Sequence, residues 1–216
     1  MKHLFRILLF VSFLWMVAAC GDDKYHFPSV VKEFYVGYTG ADGRLQYMET
    51  DRGERLEITD DRSGMKGTPD SVYRLLGYYE ILSQERALIH SAGRVSSPFP
   101  KPLHNIADSL STDAVRLISI WQAPRYINMH LGIKFAENNH ECAFVEDSVR
   151  VTEARTHLWL TLYHDAHGDG EGFYTEDIYL SVPLERYLHS VSGPLTVHFS
   201  LNTFEEGLKE FRFDYN

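Results

Sequence analysis

Residues 162–173 read LYHDAHGDGEGF and place two histidines and three carboxylates within eight positions, His164 to Glu171. Side chains of these types can hold a metal ion or move protons, so their spacing decides between chemistry and architecture. Counted from Asp165, polar side chains fall at Asp165, His167, Asp169 and Glu171, with Gly170 sixth and Glu176 twelfth, the offsets of a calcium-binding EF-hand loop. Two features break the match. His167 offers nitrogen where a hard cation takes oxygen, and Gly172 stands where that loop takes an aliphatic residue. Zinc would use His164 and His167 with a carboxylate, but positions of a strand and its turn point apart and no third imidazole is fixed nearby. The remaining reading is a hairpin connection, because Asp bonds nearby backbone amides and Gly accepts a left-handed conformation. The turn is the expectation here, and neither a metal nor a cofactor is predicted.

Other reactive pairings are weaker. Cys142 lies two residues from His140, but such positions on a strand share a face without reaching hydrogen-bond contact, so an inert buried thiol is expected. No serine sits in a Gly-x-Ser-x-Gly elbow, and no glycine-rich phosphate loop precedes a helix. Asp22-Asp23 and Asp60-Asp61 read as solvated charge. The strand tyrosines Tyr35, Tyr47, Tyr78 and Tyr79 could feed a sugar-stacking surface, with packing in a core or on a sheet face the preferred use. No catalytic residue is predicted, and the chain reads as a non-enzyme.

The elements that would position these residues begin after an export signal. Lys2 and Arg6 precede Ile7–Ala19, an uncharged apolar run of thirteen residues, short for the ~20 residues of a spanning helix and of the right size for a signal-peptide core. It ends in Val17-Ala18-Ala19-Cys20-Gly21, small residues before a cysteine, which is the pattern a lipoprotein signal peptidase accepts. Residues 1–19 are therefore predicted to leave, Cys20 to carry lipid, and residues 20–28 to form a tether. Only Cys142 remains after Cys20, so stability must come from a core rather than from disulfides. Loss of Lys2 and Arg6 with no acidic residue moves the net charge from −9 to −11. A surface this acidic repels phosphate backbones, so nucleic acid is excluded as a partner, and membrane attachment falls to the lipid.

Beyond the tether the chain is patterned for strands. Val30 to Tyr38 alternates and stops at Gly40-Ala41-Asp42-Gly43, a turn with glycine available for positive φ. Short runs at Leu45–Thr50, Glu54–Thr59, Arg74–Leu82 and Ala87–Val95 complete five strands, enough for a small barrel over residues 29–95. Ser96 to Pro102 holds three prolines, which lack the donor a central strand needs, and residues 96–111 are read as a linker. Past it, Ile127, Met129, Leu131, Ile133 and Phe135 alternate with mostly polar or small residues, the mark of a strand buried on one face. Similar runs recur about every ten residues, predicting an antiparallel β-sandwich over residues 112–216.

In order and spacing, several pieces resemble the NigD-like lipoproteins of Bacteroidetes. They are Cys20-Gly21-Asp22-Asp23-Lys24, Val30-Val31-Lys32, Tyr78-Tyr79-Glu80-Ile81-Leu82, Ile120-Trp121 followed by Tyr126-Ile127-Asn128, and His164 with Gly168-Asp169. The resemblance implies an all-β chain with an N-terminal OB-like barrel and a C-terminal β-sandwich. It also implies an outer-membrane lipoprotein held through Cys20, with Asp22-Asp23 similar to a signal for the outer face. The family's link to a bacteriocin operon implies immunity, or an accessory role in a surface complex, through a protein partner. A glycan-binding surface lipoprotein is the alternative.

Overall fold

In the computed structural model, residues 29–106, 110–169, 174–191 and 193–216 are described. The alternation from Val30 becomes β1 (Val30–Thr39), which is long enough to pair with two neighbours at once, β2 (Leu45–Thr50) and β4 (Val72–Ser83). With β3 (Arg55–Asp61) and β5 (Arg86–Arg94) these strands close a barrel in the order β1-β2-β3-β5-β4. Closure removes free edges. The pair β3–β5 is parallel, the others antiparallel. Gly43 turns the first hairpin at φ +75°, and Gly77 lets β4 approach β5, since a Cβ there would lie 2.0 Å from the Ser91 carbonyl oxygen. Tyr35, Leu45, Met48, Leu56, Leu75, Tyr79, Ala87 and Ile89 fill the barrel.

The second domain comprises two facing sheets. β7 (Arg116–Ala123), β8 (Tyr126–Phe135) and β11 (Tyr174–Pro183) form the smaller, in the order β11-β8-β7. The larger runs β13-β12-β10-β9-β6, from β6 (Lys101–Pro102), β9 (Glu141–Val151), β10 (Thr156–Asp165), β12 (Leu195–Thr203) and β13 (Gly207–Tyr215). Ile127, Met129, Leu131 and Ile133 of β8 face Leu158, Leu160, Val197 and Phe199 across one core. Most pairs are antiparallel, but β10 and β12 run parallel at the centre of the larger sheet. Between them the chain crosses to the other sheet as β11 and the short helix α1 (Glu185–Ser190), and it returns in the same direction. Among the described residues no helix is long and apolar enough to cross a membrane.

Two expectations change in detail. Residues 96–106 are not a free linker. Ser96 accepts from the Ser181 N–H at 3.1 Å, Ser97 Oγ donates to the Ser181 carbonyl at 2.7 Å, and Lys101–Pro102 pair with Val145–Glu146. Proline fits because β6 is an outermost strand, where a missing donor faces away from the ladder. The segment belongs to the sandwich, whose first strand precedes residue 112. Nor is β8 buried on one face only, because the polar Asn128 is fully buried on the other. The barrel covers that face.

Candidate functional site

Residues 165–168, at the end of β10, form a turn. Asp165 Oδ1 accepts from the His167 N–H at 2.8 Å, and His167 and Gly168 take φ values of +49° and +82°. The Asp165 carboxyl is held below the usual carboxylate range, first by that N–H. Asp169 points inward and accepts backbone N–H groups from Ala136, Glu137 and Asn138 at 2.6, 3.1 and 3.4 Å. It thereby ties the β10–β11 connection to the β8–β9 loop. Gly170–Phe173, including Glu171, lie outside the described residues, and Glu176 sits on β11 opposite Ile133. Among the described residues no three metal-type ligands converge. Asp169 is occupied as an anchor.

His140 and His164 complete that anchor. His164 Nδ1 lies 2.9 Å from the Asp113 carbonyl oxygen, which can only accept, so Nδ1 carries the proton and Nε2 is a lone pair. His140 Nδ1, 2.9 Å from that lone pair, must therefore donate. His140 Nε2 lies 3.3 Å from Asp169 Oδ2, whose carboxyl the Ala136 N–H above all holds below its ordinary range and so charged. His164 is thereby the neutral acceptor of the pair, consistent with a His164 pKa pushed down first by burial. The chain of partners has no nucleophile in it: Cys142 is half-buried, and burial, then the Glu141 charge, pushes its thiol up to about 11. Such a thiol stays protonated at neutral pH.

The flagged tyrosines divide. Tyr35 and Tyr79 are core residues stacked edge to face at 5.7 Å, whereas Tyr47 and Tyr78 are exposed beside Arg55 and Lys32. Asp60 pairs with Arg62, and Asp61 accepts from Ser63. Cys20 and Asp22-Asp23 lie outside the described residues.

The seam between the domains holds what sequence reasoning missed. Arg74 of β4 is buried and meets Asp51 through both guanidinium ends, at 2.7 and 2.8 Å. It donates also to Ser181 Oγ and Asn128 Oδ1, both at 3.1 Å, and its guanidinium lies 3.9 Å from the Tyr126 ring centre. Asn128 Nδ2 returns to Asp51 at 3.0 Å, and a rim pair joins Arg125 to Glu49. A charged residue inside a core-patterned strand was the available signal.

Beside this clamp lies a cleft of about 490 Å³ between barrel and sandwich. Its apolar walls are Phe34 and Leu76 from the barrel and Trp121 and Tyr179 from the sandwich, with Lys32 and Arg52 at its rim. Phe34 meets Trp121 edge to face at 5.4 Å and Tyr179 at 6.0 Å. A second hollow of about 470 Å³ continues past Leu76 and Tyr179 toward Phe135 and His140. An apolar groove at a domain boundary with a charged rim is where ligands and partner side chains are accommodated.

The family model for the NigD-like C-terminal β-sandwich domain matches residues 99–215, starting inside the segment that pairs with the sandwich. A NigD-like immunity protein from Bacteroides caccae is 33% identical, with a TM-score of 0.70 over 88% of this chain and 99% of that one. A protein of unknown function from Bacteroides vulgatus (16% identity, TM-score 0.67, 87% and 92% covered) shares the fold. So does a putative toxin-related protein from Parabacteroides distasonis (14%, 0.68, 87% and 94%). No curated protein matches significantly. The all-β barrel-and-sandwich architecture, the match over the sandwich and the near full-length likeness to the B. caccae protein place this chain in the NigD-like family.

Proposed function

We propose that the chain is a non-enzymatic envelope lipoprotein that confers immunity by holding a protein partner in the cleft between its domains. The observation that carries this reading is the 33% identity, over 88% of the chain, to a NigD-like immunity protein. The cleft supports a protein ligand, since aromatic walls with a charged rim suit an apolar anchor side chain of a partner. Lipid on Cys20 would hold this cleft close to a membrane surface, because the ten Cα–Cα steps from Cys20 to Val30 span at most about 36 Å.

Two measurements test the reading. Metabolic labelling with a fatty acid should tag the wild-type chain and not Cys20→Ala, and continued labelling of the variant would remove the anchor from the account. A photo-crosslinker in place of Arg52, at the rim of the cleft, should capture a discrete protein on intact cells. Leu76→Arg, which puts a long charged side chain into the cleft from its wall, should abolish that capture; capture that persists would place the partner elsewhere.

A further inference from the structure

The outer face of the larger sheet carries a cluster that the immunity reading does not use. Trp159 on β10 stacks on His198 of β12 at 4.7 Å and 8°, and on His157 at 5.7 Å and 24°. The two imidazoles are themselves joined edge to edge, His157 Nδ1 to His198 Nε2 at 3.2 Å. Glu210 Oε1, 3.1 Å from His198 Nδ1, accepts the proton there, so His198 Nε2 is a lone pair and His157 donates to it. Burial first, then His198 and nearby arginines, lowers the His157 pKa. One side of the indole is thus backed by the two joined imidazole rings.

The other side is open. Across from Trp159 on β9 stands Ser148, too small to cover an indole, and every residue from Asp147 to Val151 is exposed. Trp159 and these five residues line a groove of about 750 Å³. Asp147 is held in place by Thr161 Oγ1, which donates to it at 2.7 Å, and Arg150 stands on the same strand. The groove therefore offers an apolar ring, one fixed acceptor and one donor, with charges of opposite sign that cancel.

We propose that this groove is a binding site for a neutral sugar ring. The C–H face of a pyranose stacks on an indole, and its outward hydroxyls reach an acceptor and a donor at the ring's edge. A phosphate or sulfate ester would meet the Asp147 carboxylate beside its single arginine, and a metal ion would find the facing ring nitrogens of His157 and His198 already engaged with each other. The site does not coincide with the cleft, so a glycan and a protein partner can be held together.

The test is an array of neutral oligosaccharides of glucose, galactose, mannose, xylose and N-acetylglucosamine, probed with the detergent-solubilised full chain and followed by affinity electrophoresis on the polysaccharide it retains. Binding should weaken tenfold or more in Trp159→Ala and in Ser148→Phe, which leaves Trp159 in place and covers its open side. Phenylalanine at position 159 should restore part of it, and half-molar salt should leave the wild type unchanged. Silence across the array, or retention unaltered in both variants, overturns the proposal. So does a preference for extended peptides over every sugar, which would mark the free edge of β9 as the ligand site instead.

Discussion

Arg74→Met is expected to destabilise the folded chain by about 3–5 kcal/mol, the cost of leaving one partner of a buried ion pair uncompensated. The side chain of Arg74 is 3% exposed, and removing it takes a donor from Asp51, Ser181 Oγ and Asn128 Oδ1 together, leaving them only the bonds from Asn128 Nδ2 to Asp51 and from Ser181 Oγ to Asn128 Oδ1. Asp51 keeps some contact with water, with its side chain 22% exposed, which favours the lower half of that range. Since Asp51 and Arg74 belong to the barrel and Asn128 and Ser181 to the sandwich, the loss should also uncouple the domains. Urea unfolding of the variant should then separate into two transitions where the wild type shows one. The double replacement Arg74→Met with Asp51→Leu should recover part of the loss, because taking out both charges leaves neither one buried alone. A single variant within about 0.5 kcal/mol of wild type, the range of an ordinary surface change, would mean that the clamp does not hold the seam.

Acidification should act on the other end of the sandwich. His164 has a folded pKa below its unfolded value of about 6.5, so it contributes stability that is fully present above that value. This contribution is lost as the pH falls through the depressed folded value, where the unfolded chain already holds the proton that the fold resists. A proton on His164 Nε2 would also meet the N–H that His140 Nδ1 donates to it, only 2.9 Å away. The urea midpoint should therefore drop between pH 7.5 and 5, and His164→Gln should flatten that slope in part, His157 sharing the same direction of shift. At pH 7.5, Asp169→Ala should lower the melting temperature by several degrees, because three backbone N–H groups and His140 lose their acceptor. A pH-independent midpoint, or Asp169→Ala melting with the wild type, would contradict the assigned chain of donors.

The strands were legible because their periodicity is local. Ile127, Met129, Leu131 and Ile133 point one way by alternation alone, and they form the sandwich core as expected. What alternation does not carry is which other element covers the second face. Asn128 reads as a solvent-facing residue until the barrel's Arg74 is placed against it from 54 positions away. The same holds for His140, whose partners His164 and Asp169 come from the far side of a hairpin 24 and 29 residues on. Turn chemistry, by contrast, is written within a few residues, which is why Asp165 to Gly168 could be read as a connection. Ser96–Pro102 misled for a specific reason: proline excludes a central strand but not an outermost one. Trp159 escaped notice since its two histidine neighbours lie on separate strands, and only their pairing makes it a platform.

The most direct test of immunity through a held partner is the survival of cells lacking this chain when exposed to bacteriocins from their own strain and its neighbours. Deletion should sensitise the cells to at least one such toxin, and the wild-type chain should restore resistance. Cys20→Ala, without its lipid, and Leu76→Arg, with a long charged side chain in its cleft, should each restore it poorly while being made in normal amounts. Equal survival of deleted and complemented cells across the panel would contradict the immunity role, and full rescue by Leu76→Arg would contradict the cleft as the place where the partner is held.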